Sequence, residues 1–232
     1  MSILFIGNSF SYYHCLPKLV VRFARSSGSG HLVVDGAFRG GATLKMLWHD
    51  GKAIKKLEHK NFNYVVLQER GRLGGVIEGG IVHVGKPAEF HKYVSKFNTM
   101  IRKANAETIL YCPPAFLGIG LMGDAKKLHK AHVVLAKKLH IALIPAEAAF
   151  ILALKMRPDI NLFEHDGHHP NPLGTYLVAC LFYKKLFHAK VANLPLISYL
   201  SRSEKLPTHP KTVSLSRADA RFLWSVANQT KW

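Results

Sequence analysis

The sequence predicts an α/β protein of three layers, a parallel sheet of five strands between two layers of helices. Two observations carry that prediction. Short apolar runs with strand character, such as ILFI, YVVL and TILYC, alternate with longer segments whose apolar residues recur at helical spacing. Alternation of this kind folds through right-handed crossovers into a parallel sheet covered by helices. The strands are also continuous and apolar rather than alternating, as strands buried on both faces are.

The elements follow in order. Ile3–Ile6 is the first strand, and Leu16–Ser26 the first helix, with Leu19, Val20, Phe23 and Ala24 on one side and Gly28 and Gly30 as its stop. His31–Val34 is the second strand, Thr43–His59 supplies one or two helical segments, and Tyr64–Leu67 is the third strand. A glycine-rich loop from Gly71 to Gly85 precedes a helix over Pro87–Asn105. Thr108–Cys112 is the fourth strand, Asp124–His140 a helix with its lysines turned outward, and Ile141–Ile144 the fifth strand. A long helix starts near Pro172, Ser201–Lys211 reads as an exposed loop, and Arg217–Asn228 returns as a helix with Phe222, Leu223 and Val226 to dock.

With 232 residues, 48% of them hydrophobic, the chain can bury a full core, and a single domain over 1–232 is expected, with 190–232 as a C-terminal extension packed on it. No apolar run is long enough for a membrane span and no signal-peptide pattern opens the chain. As given, it is expected to be cytoplasmic, with a removed leader left open. Cys15, Cys112 and Cys180 stand far apart in apolar surroundings and read as buried free thiols. Lys and Arg number 32 against 14 Asp and Glu, a formal charge of +18. The basic residues are dispersed without a block or tail, which suggests a solvated basic surface with weak, nonspecific attraction to polyanions.

The stretch Gly7-Asn8-Ser9 breaks the first strand at its carboxyl end, where open α/β sheets bind ligands. Gly, Asn and Ser form ordinary turns, so the alternatives are a plain turn and a serine nucleophile. A nucleophilic serine needs a base within hydrogen-bond reach, and that base needs a partner. Glu164-His165-Asp166-Gly167-His168-His169-Pro170-Asn171-Pro172 offers both, on a loop that Pro170 and the helix starter Asn171-Pro172 hold out of helical conformation.

Gly7-Asn8-Ser9-Phe10-Ser11 behind an N-terminal strand, and Asp166-x-x-His169-Pro170 ahead of a helix, resemble the first and last blocks of the SGNH, or GDSL-like, hydrolase superfamily. GNSFS and HPNPLGTYLVACLFYKKL resemble a little-characterised bacterial branch of it. The resemblance implies a flavodoxin-like α/β/α fold and an esterase, lipase or carbohydrate deacetylase that forms an acyl-enzyme without a cofactor. It implies Ser9 as nucleophile, His169 as general base and Asp166 as its partner. It also implies an oxyanion hole from the backbone N–H groups of Ser9 and Gly41, the latter in Arg39-Gly40-Gly41-Ala42-Thr43. The Asn usual after the third strand is missing, and Gln68 in Gln68-Glu69-Arg70 is the candidate in its place, since its amide donates the same hydrogen bond. Tyr12, Tyr13 and Arg70 are candidate substrate-binding residues, and the expected substrate is a small-molecule or carbohydrate ester.

Two other classes stand beside this one. Glu164, His165, Asp166, His168 and His169 have the residue types of a metal-dependent hydrolase site. The charge fits a non-catalytic binder of anionic ligands, and Gly80 to Lys86 even matches the GxxxxGK of a phosphate loop. Pro87 then stands where Ser or Thr would hold magnesium, so a glycine-rich loop before a helix is the expectation there.

Overall fold

The computed structural model describes residues 1–28, 30–78, 81–114 and 121–232. Its centre is a sheet of β1 (Ser2–Gly7), β2 (Val33–Phe38), β3 (Tyr64–Gln68), β6 (Glu107–Cys112) and β7 (Ala142–Pro145), in the order β2-β1-β3-β6-β7. Every pairing is parallel. The order reverses at β1, which lies between β2 and β3, so the carboxyl end of β1 opens onto the crevice where such sheets bind ligands.

Two cores form because successive strand residues point to opposite faces. Ile3 and Phe5 join a cluster with α2 (Leu16–Ser26), α7 (Ala146–Met156), α8 (Pro172–Phe187) and α9 (Arg217–Gln229). Leu4 and Ile6 join the other, with α3 (Leu44–Asp50), α4 (Lys52–His59), α5 (Ala88–Lys103) and α6 (Leu121–Leu139). The predicted three-layer α/β arrangement is the one observed. Cys15, Cys112 and Cys180 are buried free thiols. Among the described residues, no helix is long and apolar enough to cross a membrane.

Some elements differ from expectation. The second strand runs over Val33–Phe38 rather than 31–34, because it pairs Ser2↔Val33 through Gly7↔Phe38. Asp35 and Gly36 hid its last four residues. As an edge strand β2 tolerates them, and Lys56 and Lys60 neutralise Asp35 at 2.7 and 2.9 Å. Helix α7 was not anticipated, since it starts directly at the end of β7. The 71–85 loop carries a small antiparallel pair, β4 (Ile77–Glu78) and β5 (Ile81–Val82). The phosphate-loop match starts at Gly80, which lies outside the described residues.

The segment after α8 shares the first core: Val191, Leu194, Tyr199 and Leu215 are buried in it. It forms an antiparallel pair, β8 (Ile197–Leu200) and β9 (Lys211–Ser214), and then α9. The Lys184 ammonium donates to the carbonyls of Ala227, Asn228 and Thr230 at 3.0, 2.9 and 3.2 Å, holding the carboxyl end of α9 to α8. The Lys18 ammonium on α2 donates to the Pro207 carbonyl and so fastens the loop between β8 and β9.

One core group gives the fold an acid sensitivity. His132 on α6 is fully buried, its Nδ1–H donates to the Leu128 carbonyl at 2.8 Å, and its Nε2 is buried without a partner. Burial, then the positive fields of His129 and His91, pull its pKa from 6.5 to about 4 despite the Leu128 bond. The unfolded chain therefore binds the proton first. Stability from the neutral ring is intact above pH 6.5 and is lost as the pH falls through about 4, on the order of 3 kcal/mol in all. Urea unfolding near pH 7 and near pH 5 should show a smaller acid loss in His132→Phe than in the wild type; equal losses would remove this residue from the account.

Candidate active site

Separated from the end of β1 by one residue, Ser9 opens a four-residue helix, α1 (Ser9–Tyr12). Asn8 is its cap: its side-chain carbonyl accepts the Phe10 N–H at 3.2 Å, while its side-chain amide donates to the Ala42 carbonyl at 2.9 Å. One residue thus shapes the nucleophile turn and ties it to the Arg39–Thr43 loop. Gly7 is required here for space, because a Cβ on it would lie 2.5 Å from Ser11 Oγ and 2.6 Å from Gln68 Oε1. Past α1 the chain turns sharply through His14 and Cys15, both in left-handed backbone at φ 49° and 54°. This conformation costs about 1 kcal/mol or more per residue. The His14 N–H donates to the Ser201 carbonyl at 2.7 Å, which holds the turn.

The three residues expected to act together are brought together. His169 Nε2 lies 2.7 Å from Ser9 Oγ, and His169 Nδ1 lies 2.7 Å from Asp166 Oδ2. A carboxylate can only accept, so Nδ1 carries the proton and Nε2 is left to accept from Ser9. Asp166 Oδ1 also accepts the N–H groups of His168 and His169, each at 2.9 Å. Burial pushes the Asp166 carboxyl upward, but these bonds from His169 and His168 outweigh it and hold the pKa at about 2. Asp166 is therefore an anion at every working pH. The imidazole of His169 is flanked by Tyr13, stacked at 4.5 Å, and Phe10 at 5.3 Å.

The base loop is a pinched turn. Glu164 N–H donates to the His169 carbonyl at 2.8 Å, and Asn171 N–H to the Leu162 carbonyl at 3.0 Å, while Asn171 caps α8 through the Gly174 N–H. Glu164 leaves the cluster in which the sequence grouped it. Its Oε1 meets fully buried His14 Nε2 at 2.8 Å and its Oε2 meets Arg202 at 2.5 Å, whereas Asp166 faces His169. The carboxylates of 164–169 therefore point at different partners. No group of three or more His, Cys, Asp or Glu able to hold a metal ion occurs among the described residues.

Gln68 is placed otherwise than the oxyanion expectation required. It is fully buried, its carbonyl accepts the Asn8 N–H and the Ser11 hydroxyl, each at 2.9 Å, and its amide donates to the Glu69 carbonyl at 2.6 Å. A Gln at a strand end can turn inward or outward, and the missing Cβ of Gly7 gives this one room to turn in. Gly41 stands in left-handed backbone at φ 62° in the loop after β2, and a Cβ on it would lie 3.3 Å from Arg70 Nη2. Arg70 is thus beside the proposed oxyanion loop. Its neighbour Glu69 is buried and accepts the N–H groups of Arg70 at 2.7 Å and Leu44 at 3.1 Å. Burial lifts the Glu69 pKa to about 7 against those bonds.

The extension's part in the site is not legible in the sequence. Glu204 accepts the Gly40 N–H at 2.6 Å and, after burial, helps push the Tyr12 phenol up to about 12. Arg202 lies over the Tyr13 ring at 5.8 Å. Both belong to a polar loop that looks like solvent-facing linker until its anchors on His14 and Lys18 are seen.

No protein-family model matches the chain, and no curated protein matches it. Solved structures do. An acetyl xylan esterase is 20% identical, with a TM-score of 0.64 over 80% of this chain and 100% of its own. A candidate SGNH hydrolase from Slackia heliotrinireducens is also 20% identical, with a TM-score of 0.64 over 80% of this chain and 98% of its own. A lipase/acylhydrolase from Enterococcus faecalis is 18% identical, with a TM-score of 0.62 over 81% and 95%. The three-layer fold of this chain is the one these proteins share.

The position of Gln68 generates a test. Gln68→Ala strands two buried donors, so it should lower the free energy of unfolding in urea by about 2 kcal/mol or more. Unchanged stability with a large loss of kcat would instead make Gln68 an outward-facing oxyanion donor.

Proposed function

We propose that this chain, which has the SGNH-hydrolase fold, hydrolyses carboxylic esters through an acyl-enzyme on Ser9. The observation that carries the proposal is the pair of 2.7 Å contacts from Ser9 to His169 and from His169 to Asp166, at the carboxyl end of the strand where the sheet order reverses. His169 Nε2 takes the Ser9 proton as Oγ attacks the ester carbonyl. Asp166, anionic throughout, holds the imidazole in the tautomer that can do this and stabilises the imidazolium that forms. The backbone N–H groups of Ser9 and Gly41 receive the developing oxyanion, with Arg70 beside Gly41 adding positive potential. Gln68 serves the oxyanion hole indirectly, by holding the turn that aims the Ser9 N–H. The C–O bond breaks as His169 returns the proton to the leaving alcohol. A water deprotonated by the same nitrogen then releases the acid.

A reading of the substrate class draws support from the residues around the base and from the structural neighbours. Tyr13 stacks on the base, and buried Tyr12 places its hydroxyl beside Gly40 of the oxyanion loop. Two of the similar structures are acetyl xylan esterases. A short acyl group on a small molecule or carbohydrate fits that setting.

The test is turnover of p-nitrophenyl esters of rising chain length and of acetylated saccharides. Ser9→Ala and His169→Ala should each lower kcat by a factor on the order of 10⁴ to 10⁶ while the fold survives, and Asp166→Asn by about 10⁴. Near wild-type turnover in Ser9→Ala would end the proposal. Loss in His168→Ala but not in His169→Ala would move the base by one residue.

A further inference from the structure

We propose that Arg70 and Arg72 form an anion subsite on the leaving-group side of Ser9, so that the alcohol portion of the ester carries a carboxylate or phosphate. The inference rests on the ester-hydrolase reading above and names its substrate more closely.

The side follows from the chemistry of the base. His169 Nε2 delivers a proton to the leaving oxygen, so the alcohol departs past His169. The ring of His168 lies 4.3 Å from that of His169 and 5.0 Å from Phe10, on the same wall. Arg70 closes the wall toward the oxyanion loop, with Nη2 3.3 Å from where a Gly41 Cβ would be. A tight turn presents the pair: Leu73 N–H donates to the Arg70 carbonyl at 3.0 Å, and Gly75 and Gly85 N–H groups to the Arg72 carbonyl at 2.8 and 2.9 Å. Both arginines therefore come from a braced backbone.

Two arginines two residues apart in one braced turn repel unless an anion lies between them or a carboxylate neutralises them. Among the described residues, none of the ion pairs involves Arg70 or Arg72. The nearby carboxylates are committed elsewhere. Glu204 takes the Gly40 N–H, Glu69 the N–H groups of Leu44 and Arg70, Glu164 His14 and Arg202, and Asp166 His169. The two positive charges add to burial at two groups. Burial and then Arg70 lower the Arg72 pKa, and burial, His169, Arg72 and Arg70 bring His168 to about 4 against the pull of Asp166. A substrate anion would relieve both, and a planar guanidinium binds carboxylate or phosphate in two-point geometry.

The experiment compares 4-acetoxybenzoate with its methyl ester, the same acetate on alcohols that differ by one negative charge, at low ionic strength. The methyl ester has the better leaving group, so intrinsic reactivity works against the predicted preference. The wild type should favour the carboxylate in kcat/KM by about ten- to a hundredfold, and added salt should shrink the ratio. Arg70→Gln and Arg72→Gln should each bring the ratio toward one; because the ratio is taken within one variant, partial loss of fold cancels from it. Including 4-acetoxyphenyl phosphate names the anion, and preference for either over the methyl ester supports the subsite. A wild-type ratio at or below one, or a ratio unchanged in both variants, overturns the subsite and leaves the esterase intact. Absence of turnover on all three and on the p-nitrophenyl esters sinks the esterase reading and the subsite with it.

Discussion

The side chain of Gln68 is buried between the ends of β1 and β3, and its carbonyl accepts two hydrogen bonds from the turn that carries Ser9. Most of the site depends on that contact. The parallel pairing Ile6↔Leu67 brings the two strand ends level, and Gly7 leaves the gap through which the amide reaches. Asn8, held by its backbone to Gln68, spends its side chain on Phe10 and Ala42. The loop carrying Gly41 is thereby fixed relative to Ser9 by one residue. An unmade bond at this depth costs far more than a surface contact gains, so the arrangement is selected as a unit.

The other half of the site is held in a different way. The base loop is short and partly exposed, and its position comes from Glu164, which grips His14 and Arg202 while its backbone bonds to His169. Residues after α8 are thus structural partners of the base. His14, in strained backbone, links the turn after the nucleophile to the loop before α8. The pair joins two segments some 150 residues apart in the chain, beside the contacts of Ser9 and Tyr13 with His169.

Much of this was legible in the sequence. The alternation of apolar runs and helical periodicity is a local signal, and it located all five sheet strands and most helices. That Ser9, Asp166 and His169 lie together was readable from the resemblance of their two blocks and from turn chemistry: Asn8 and Asn171 as caps, Pro170 as a stop, Gly7 as a turn. The last four residues of β2 were hidden, because Asp35 and Gly36 fit an edge strand only through Lys56 and Lys60. Gln68 showed that residue type alone does not give direction, since the same amide can serve solvent or the strand beneath. Arg202 and Glu204 were illegible for a third reason: their partners Glu164 and Gly40 lie far off in sequence, and nothing local in Ser201–Lys211 marks a contact.

The central claim is that Ser9 is a nucleophile activated by His169. The most direct measurement is intact-protein mass after exposure to a serine-directed phosphonate, followed by peptide mapping. The account predicts one adduct per chain, on Ser9, formed slowly or not at all in His169→Ala. An adduct on Ser11 or elsewhere, or labelling of Ser9 at the same rate without His169, would contradict it.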